Sequence, residues 1–496
     1  MGFLRDLTIA RYFGASADTD AFVVAWTIPE TAAPLLMEGA MAALLVPLFS
    51  HELARKGTFK DSLGGVLVPL VAVLVGLTAL TALIAAPLVG ALAPGLADPR
   101  TAIMSVRVAA LTILFFGLSG YLMASLRARN VFGWAASVYM AYNVGILAMI
   151  LLLHRSYGVF SAAIGLAVGG GCMIAIQIPA FVRYVGVPRP TLRPPSELVE
   201  RLSAFVPLAF YTVGRHGQVY VERFVGSLLP VGTISHLNYA TKVGQIPMLL
   251  AFTVAMVTLP TLSRLAAEGA YDRLRSLVER TLRLVTFLIV PATAFFVAFG
   301  AQLVALLFER GAFNAADTAA TGGILRIYSL GLLGQILVNV CVLALVAVPG
   351  RTWHPARAAI LGLLVTAGIA VGATPAFGAR GIALANALGV TVMALALLKS
   401  LPGRGVTFDA RVLAAHFARC AAAAVTAAGL AYSVGGVAHG FLPGGRLGEI
   451  GVLVAGGITL TLGYVLFARL FRIAEAAQLL LVLRKLPSDL ERRRRR

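Results

Sequence analysis

From Leu63 to Leu92 the chain runs thirty residues without an ionisable side chain, and Thr78 and Thr81 are its only polar ones. Nothing else in the sequence constrains the fold as strongly. A hydrocarbon core about 30 Å thick takes about 20 apolar residues in a helix, and only helices or closed barrels satisfy every backbone group there. Apolar segments recur near 1–14, 20–49, 63–92, 101–126, 132–153, 158–182, 203–228, 232–262, 282–307, 316–347, 356–374, 379–398, 409–434 and 448–471. They predict an all-α polytopic membrane protein of about fourteen transmembrane helices. Composition agrees, with 12% of the 496 residues charged against about 25% in soluble domains. The first segment is short, since its fourteen residues reach only about 21 Å at a rise of about 1.5 Å each.

The formal charge of +20 is unevenly placed. Loops after even-numbered segments hold Arg55, Lys56, Lys60, Arg127, Arg129, Arg183, Arg189, Arg193, Arg264, Arg273, Arg275, Arg280, Arg351, Lys399 and Arg404; loops after odd-numbered ones hold Arg100, Arg155, Arg310, Arg380 and Arg446. Cytoplasmic loops collect Lys and Arg, so both termini are expected in the cytoplasm. The Arg492–Arg496 run then reads as a tail on anionic headgroups, and no nucleic-acid partner is expected. Cys172, Cys341 and Cys420 lie far apart in apolar segments and suggest neither disulfide nor metal spacing. A cleavable signal peptide is not expected, because Arg5 and Asp6 interrupt the first apolar run.

The chain repeats itself. Arg11-Tyr12-Phe13-Gly14-Ala15 returns as Arg223-Phe224-Val225-Gly226-Ser227, and Val46-Pro47-Leu48-Phe49-Ser50 as Leu259-Pro260-Thr261-Leu262-Ser263. Pro87-Leu88-Val89 echoes in Gln302-Leu303-Val304, and Tyr157-Gly158 in Phe377-Gly378. Two pseudo-symmetric six-helix lobes around a central cavity follow, a transporter design with its site between repeats. The expected divisions are an N-terminal lobe over 1–184, a cytoplasmic linker over 185–200, a C-terminal lobe over 201–402, two extra helices over 403–471, and a basic tail over 472–496.

Charges inside the apolar segments concentrate in the first two and the seventh and eighth: Arg5, Asp6, Arg11, Glu30 and Glu38, then Arg215, His216, Glu222, Arg223 and Lys242. Intramembrane ionisable residues face partners or wet cavities, so these four segments are expected to line a hydrated cleft. Neighbours on a helix do not face each other; each member of Arg5/Asp6 and Glu222/Arg223 is therefore expected to find its partner elsewhere. Lys242, with no acidic neighbour within a turn, is the leading candidate to meet an anion. Pro29, Pro34 and Pro247 should bend their helices. Asp20 can cap the second helix, and Asp18 with Asp20 is too little for a transferase centre. Ala270 to Arg283 and the stretch after Arg472 read as amphipathic interfacial helices. The histidines form no ligand set, and neither a metal nor a cofactor is expected.

Several of these stretches resemble the MurJ/MviN lipid II flippase family of the multidrug/oligosaccharidyl-lipid/polysaccharide exporter superfamily. They are Gly2-Phe3-Leu4-Arg5-Asp6, Ala10-Arg11-Tyr12-Phe13-Gly14, Thr19-Asp20-Ala21-Phe22, Glu38-Gly39-Ala40, Leu237-Asn238-Tyr239-Ala240 and Leu307-Phe308-Glu309-Arg310-Gly311-Ala312-Phe313. The resemblance implies a monomeric, non-enzymatic flippase of the bacterial cell (inner) membrane for undecaprenyl-pyrophosphate-linked disaccharide pentapeptide, with the last two helices forming a groove for the polyprenyl tail. It carries cavity roles onto Arg5, Asp6, Asp20 and Glu38, and onto Lys242 where the family usually has arginine; lysine is a point charge without arginine's fork. The runner-up is an exporter of another polyprenyl-linked glycan of capsule, O-antigen or teichoic type, and behind it a cation-coupled drug antiporter.

Overall fold

A computed structural model describes residues 1–37, 39–54, 59–191, 196–347, 353–401, 410–441 and 445–477. Glu38 and the basic tail beyond 477 lie outside the described residues. The described chain is helical, without a strand, and divides into two compact units.

The first unit comprises Met1–Tyr239, Phe308–Asp317 and Pro355–Ala385. Its helices are α1 (Gly2–Phe13), α2 (Ala17–Leu36), α3 (Gly39–Ala54), α4 (Phe59–Leu83), α5 (Ala85–Leu92), α6 (Pro99–Ala109), α7 (Leu111–Ala128), α8 (Gly133–Tyr157), α9 (Phe160–Tyr184) and α10 (Ser196–Ser227), with the opening of α11 (Thr233–Gly244). The second unit contains α12 (Ile246–Ala267), most of α13 (Tyr271–Phe308), most of α14 (Ala315–Tyr328) and α15 (Leu332–Ala347). After α16 (Trp353–Phe377), which belongs mainly to the first unit, it resumes with most of α17 (Ala379–Ser400), then α18 (Ala410–Phe441) and α19 (Arg446–Leu470).

Among the described residues, eleven helices or end-to-end helix pairs are long and apolar enough to cross a membrane. Several apolar segments are each built from two helices, and local chemistry marks the joints. Pro29 and Pro34 lie inside α2 shortly before its end, while Pro247 takes the first turn of α12, where its missing N–H costs nothing. Asp98 caps α6, accepting from the Thr101 N–H at 3.1 Å, and its hydrogen bonding to Thr101 holds the carboxyl below its ordinary range.

The first unit's core joins Ile9 of α1, Phe22 and Val24 of α2, Phe116 of α7, Tyr142 and Ile146 of α8 and Leu166 of α9. Small residues let α8 and α9 approach: Gly145 lies against Gly169, and a Cβ on Gly165 would press on Ile146, the close packing expected of such residues in membranes. One expectation is corrected. Ala270 to Arg283 is not a separate interfacial helix, because Tyr271 onward runs unbroken into α13. Its apolar stripe, Leu274, Val278 and Leu282, is buried inside the molecule at 2% exposure or less. A helical stripe reports that one face needs cover; it does not distinguish lipid from protein.

Candidate functional site

Arg5 is the best-defended cation among the described residues. It sits in the second turn of α1 with 7% of its surface exposed. Its Nε and Nη2 both donate to Asp6 Oδ1, at 3.0 and 2.7 Å. Nη1 donates to Asn143 Oδ1 of α8 at 3.2 Å, and the Trp26 ring of α2 covers the guanidinium at 4.0 Å. Asn143 is itself oriented, its Nδ2 donating to the Tyr139 carbonyl at 2.7 Å. An arginine has five N–H donors; three are engaged here, leaving one on Nη1 and one on Nη2. Beside the clamp runs an aromatic wall of Phe22, Trp26, Tyr142 and Phe116. The expectation that Arg5 and Asp6 would pair elsewhere is therefore corrected: arginine's long stem folds back onto the neighbouring carboxylate, and the partners on α2 and α8 brace it there.

In the other dipeptide Arg223 finds a partner elsewhere, as expected. Arg223 of α10 turns away from Glu222 and lies 3.9 Å from Glu30 of α2, with its Nε and Nη1 buried and without a hydrogen-bond partner. Nearby, the Tyr220 hydroxyl donates to Thr31 Oγ1 at 2.7 Å. Glu222 is buried, and Arg215 donates to the Tyr211 hydroxyl at 3.1 Å. Lys242 stands half-buried in the last turn of α11, within the second unit. Thus the first unit brings together Arg5 with Asp6 and, separately, Arg223 with Glu30. Sequence reasoning passed over both Asn143 and Trp26. The available signal was that Asn143 is the only side-chain amide in α8, in a membrane-spanning environment where polar groups are costly.

Asp20 has a different setting. Its Oδ2 accepts from the Gly232 N–H at 2.7 Å, and its Oδ1 accepts from the Ser235 N–H at 2.7 Å and the Ser235 hydroxyl at 2.6 Å. Asp20 thus caps α11, and the cap of α2 is Ser16. This correction places a carboxylate on another helix's N-terminal amides, where the dipole favours it. Around it three turns are cross-linked. The Ala312 N–H donates to the Arg11 carbonyl at 2.9 Å, the Tyr239 hydroxyl to the Gly14 carbonyl at 2.9 Å, and His236 meets Asp317 at 3.0 Å. Gly14 and Gly311 have φ of +63° and +64°, and a Cβ on either would collide with a carbonyl of the opposite turn. Only glycine combines that conformation with that approach.

The second unit holds an apolar cavity of about 470 Å³ among α13, α15, α17 and α18, lined by residues such as Val297, Leu333, Leu337, Leu395, Phe417 and Val425. Its two threonines face inward chemically spent, since Thr293 donates to the Ser329 carbonyl and Thr391 to the Ala387 carbonyl. α18 contributes to this wall and α19 does not. No group of three or more metal-ligating side chains occurs among the described residues.

Eleven apolar helices or helix pairs long enough to cross a membrane among the described residues, with a braced cation on the short α1, define the class first: a multi-pass helical membrane protein. An inward-facing MATE family transporter of the MOP superfamily shares the fold at a TM-score of 0.67, with 14% identity over 79% of this chain and 91% of the other. A solved "Lipid II flippase MurJ, inward closed conformation" matches at a TM-score of 0.78, with 22% identity over 94% of this chain and 96% of the other. Residues 9–446 match the sequence model of the family described as lipid II flippase MurJ. The probable lipid II flippase MurJ of Rhizobium meliloti is 30% identical over 82% of this chain and 78% of its own length. Lipid II flippase MurJ of Burkholderia cenocepacia is 28% identical over 86% of each chain. The chain belongs to the MurJ lipid II flippase family.

Proposed function

We propose that this chain moves an undecaprenyl-pyrophosphate-linked peptidoglycan precursor from the inner to the outer leaflet of the bacterial inner membrane. The observation that carries the reading is the Arg5 clamp: a buried, oriented guanidinium with one donor left on each terminal nitrogen. A pyrophosphate crossing hydrocarbon alone would face a penalty of tens of kcal/mol. A fixed guanidinium offsets part of it with charge-assisted hydrogen bonds.

The apolar cavity supports the same reading from the other end of the substrate, because a polyprenyl chain needs a dry wall without competing donors. The membrane potential, negative inside, adds about 2.3 kcal/mol per charge per 100 mV for an anion moving outward. With both termini cytoplasmic, as the loop arginines favour, the turns tied by Asp20 and Gly14 lie on the outer side, so a state with those turns joined is closed outward. The repeat-related lobes alternate access, Arg215, Glu222 and Lys242 contribute from the second repeat while Arg223 fixes its packing against Glu30, and one monomer suffices. Nucleic acid has no part in this cycle.

The test is replacement of the resident flippase in a bacterium by this chain, followed by its depletion. Accumulation of unflipped lipid II is the expected result. Accumulation of a different polyprenyl-linked glycan, with normal lipid II turnover, selects the runner-up exporter.

A further inference from the structure

We propose that Trp26 and Asn143 are positioning residues for anion capture, holding the Arg5 guanidinium so that its remaining Nη1 and Nη2 donors meet phosphate oxygens without first being ordered by them. The proposal rests on the flippase reading above and deepens it.

Each partner removes a different freedom. Asp6 takes the Nε edge, Asn143 takes one Nη1 hydrogen, and the Trp26 ring closes one face at 4.0 Å. The amide has no choice of orientation, since its Nδ2 is held by the Tyr139 carbonyl and only its oxygen can turn to Arg5. Trp26 is itself held between Phe22 and Tyr142, at ring separations of 6.0 and 6.4 Å. An unbraced arginine is a rotamer-rich side chain, and immobilising one on binding lowers affinity about two- to twelvefold. Here folding has already met that cost. Asp6 alone would hold the guanidinium edge but leave it free to swing with the aspartate; the two uncharged partners fix its direction without adding a second negative charge.

The experiment measures the affinity of the purified full chain in nanodiscs for undecaprenyl pyrophosphate. Asn143→Ser keeps a hydroxyl for the Tyr139 carbonyl but cannot reach Arg5; Trp26→Leu removes the covering ring and Trp26→Phe retains one. Asn143→Ser and Trp26→Leu should each weaken binding about three- to tenfold, Trp26→Phe should restore most of it, and Val144→Ala, at an exposed site on the same helix, should change nothing. In an Arg5→Lys background, where no planar fork remains to be oriented, Asn143→Ser should cost less than about twofold. An equal cost in both backgrounds would make Asn143 a packing residue and overturn the proposal. So would wild-type affinity in both Asn143→Ser and Trp26→Leu. If Arg5→Ala itself binds like wild type, the anion-site reading falls, an outcome distinct from weak Arg5→Ala beside tight Asn143→Ser.

Discussion

Arg5 and Arg223 start from the same sequence pattern, an arginine next to an acid inside an apolar helix, and reach opposite settings. Arg5 stays with Asp6 at 2.7 Å and is braced by a tryptophan and an amide. Arg223 leaves Glu222, meets Glu30 only at 3.9 Å, and keeps two buried nitrogens without hydrogen bonds. A charge whose directions are all specified is ready for a ligand, whereas a charge buried beside a distant counterion is a constraint on packing. What separates them is the neighbouring helix: α8 offers Arg5 an amide, while the residues around Arg223 satisfy each other, as Tyr220 does Thr31.

The largest expected effect is on the Arg223 side. Removing one member of a buried pair costs about 3 to 5 kcal/mol. Arg223→Leu should lower thermal stability accordingly in detergent, and Arg223→Leu with Glu30→Leu should recover most of it, because apolar replacement of both partners is often neutral. If the double variant folds and still complements a flippase-depleted strain, Arg223 is structural. If it folds and fails, the contrast with Arg5 breaks.

Next comes Arg5. Arg5→Ala with Asp6→Ala removes the whole pair, so the protein should reach the membrane, yet flipping in vesicles should fall at least about tenfold, since a hydrogen bond to a charged group contributes about 1.5 to 3 kcal/mol. Full flipping by this variant would make the two arginines equivalent after all.

Much of the fold was legible because it depends on runs of apolar residues, and each run proved helical wherever it is described. The site was legible residue by residue only in part. Arg5 and Asp6 announce themselves by charge, but spacing alone argued against their pairing; what reversed this was the reach of arginine and a partner 138 positions away. Asp20 looked like a cap for its own helix, and only the tertiary structure brings Gly232 and Ser235 to it. The motifs Arg11 to Gly14 and Leu307 to Phe313 were visible as family matches. Their physical content, glycines at positive φ under opposing carbonyls, appears once the turns meet.

Asp20→Asn tests whether the turn knot belongs with either arginine. The amide keeps one acceptor oxygen and loses the negative charge at the α11 N-terminus, a change of about 1 kcal/mol for capping with some addition from the dipole. Stability should fall by that amount. Hydrogen exchange of the Gly232 and Ser235 amides should quicken more than that of α8 amides, while affinity for undecaprenyl pyrophosphate stays within about twofold.

The smallest expected effect separates packing from recognition most cleanly. Tyr220→Phe deletes only the hydroxyl that donates to Thr31 near the Arg223–Glu30 contact. Thr31 loses a donor to its oxygen but still gives its own hydrogen to the Thr27 carbonyl at 2.8 Å. No buried donor is therefore stranded, and the cost should sit near the low end of a neutral hydrogen bond, about 0.5 kcal/mol in thermal unfolding. Substrate affinity should not move. Were the loss instead several-fold in affinity with stability intact, the hydroxyl would be holding Arg223 for a ligand, and the second arginine would join the first as part of the anion path.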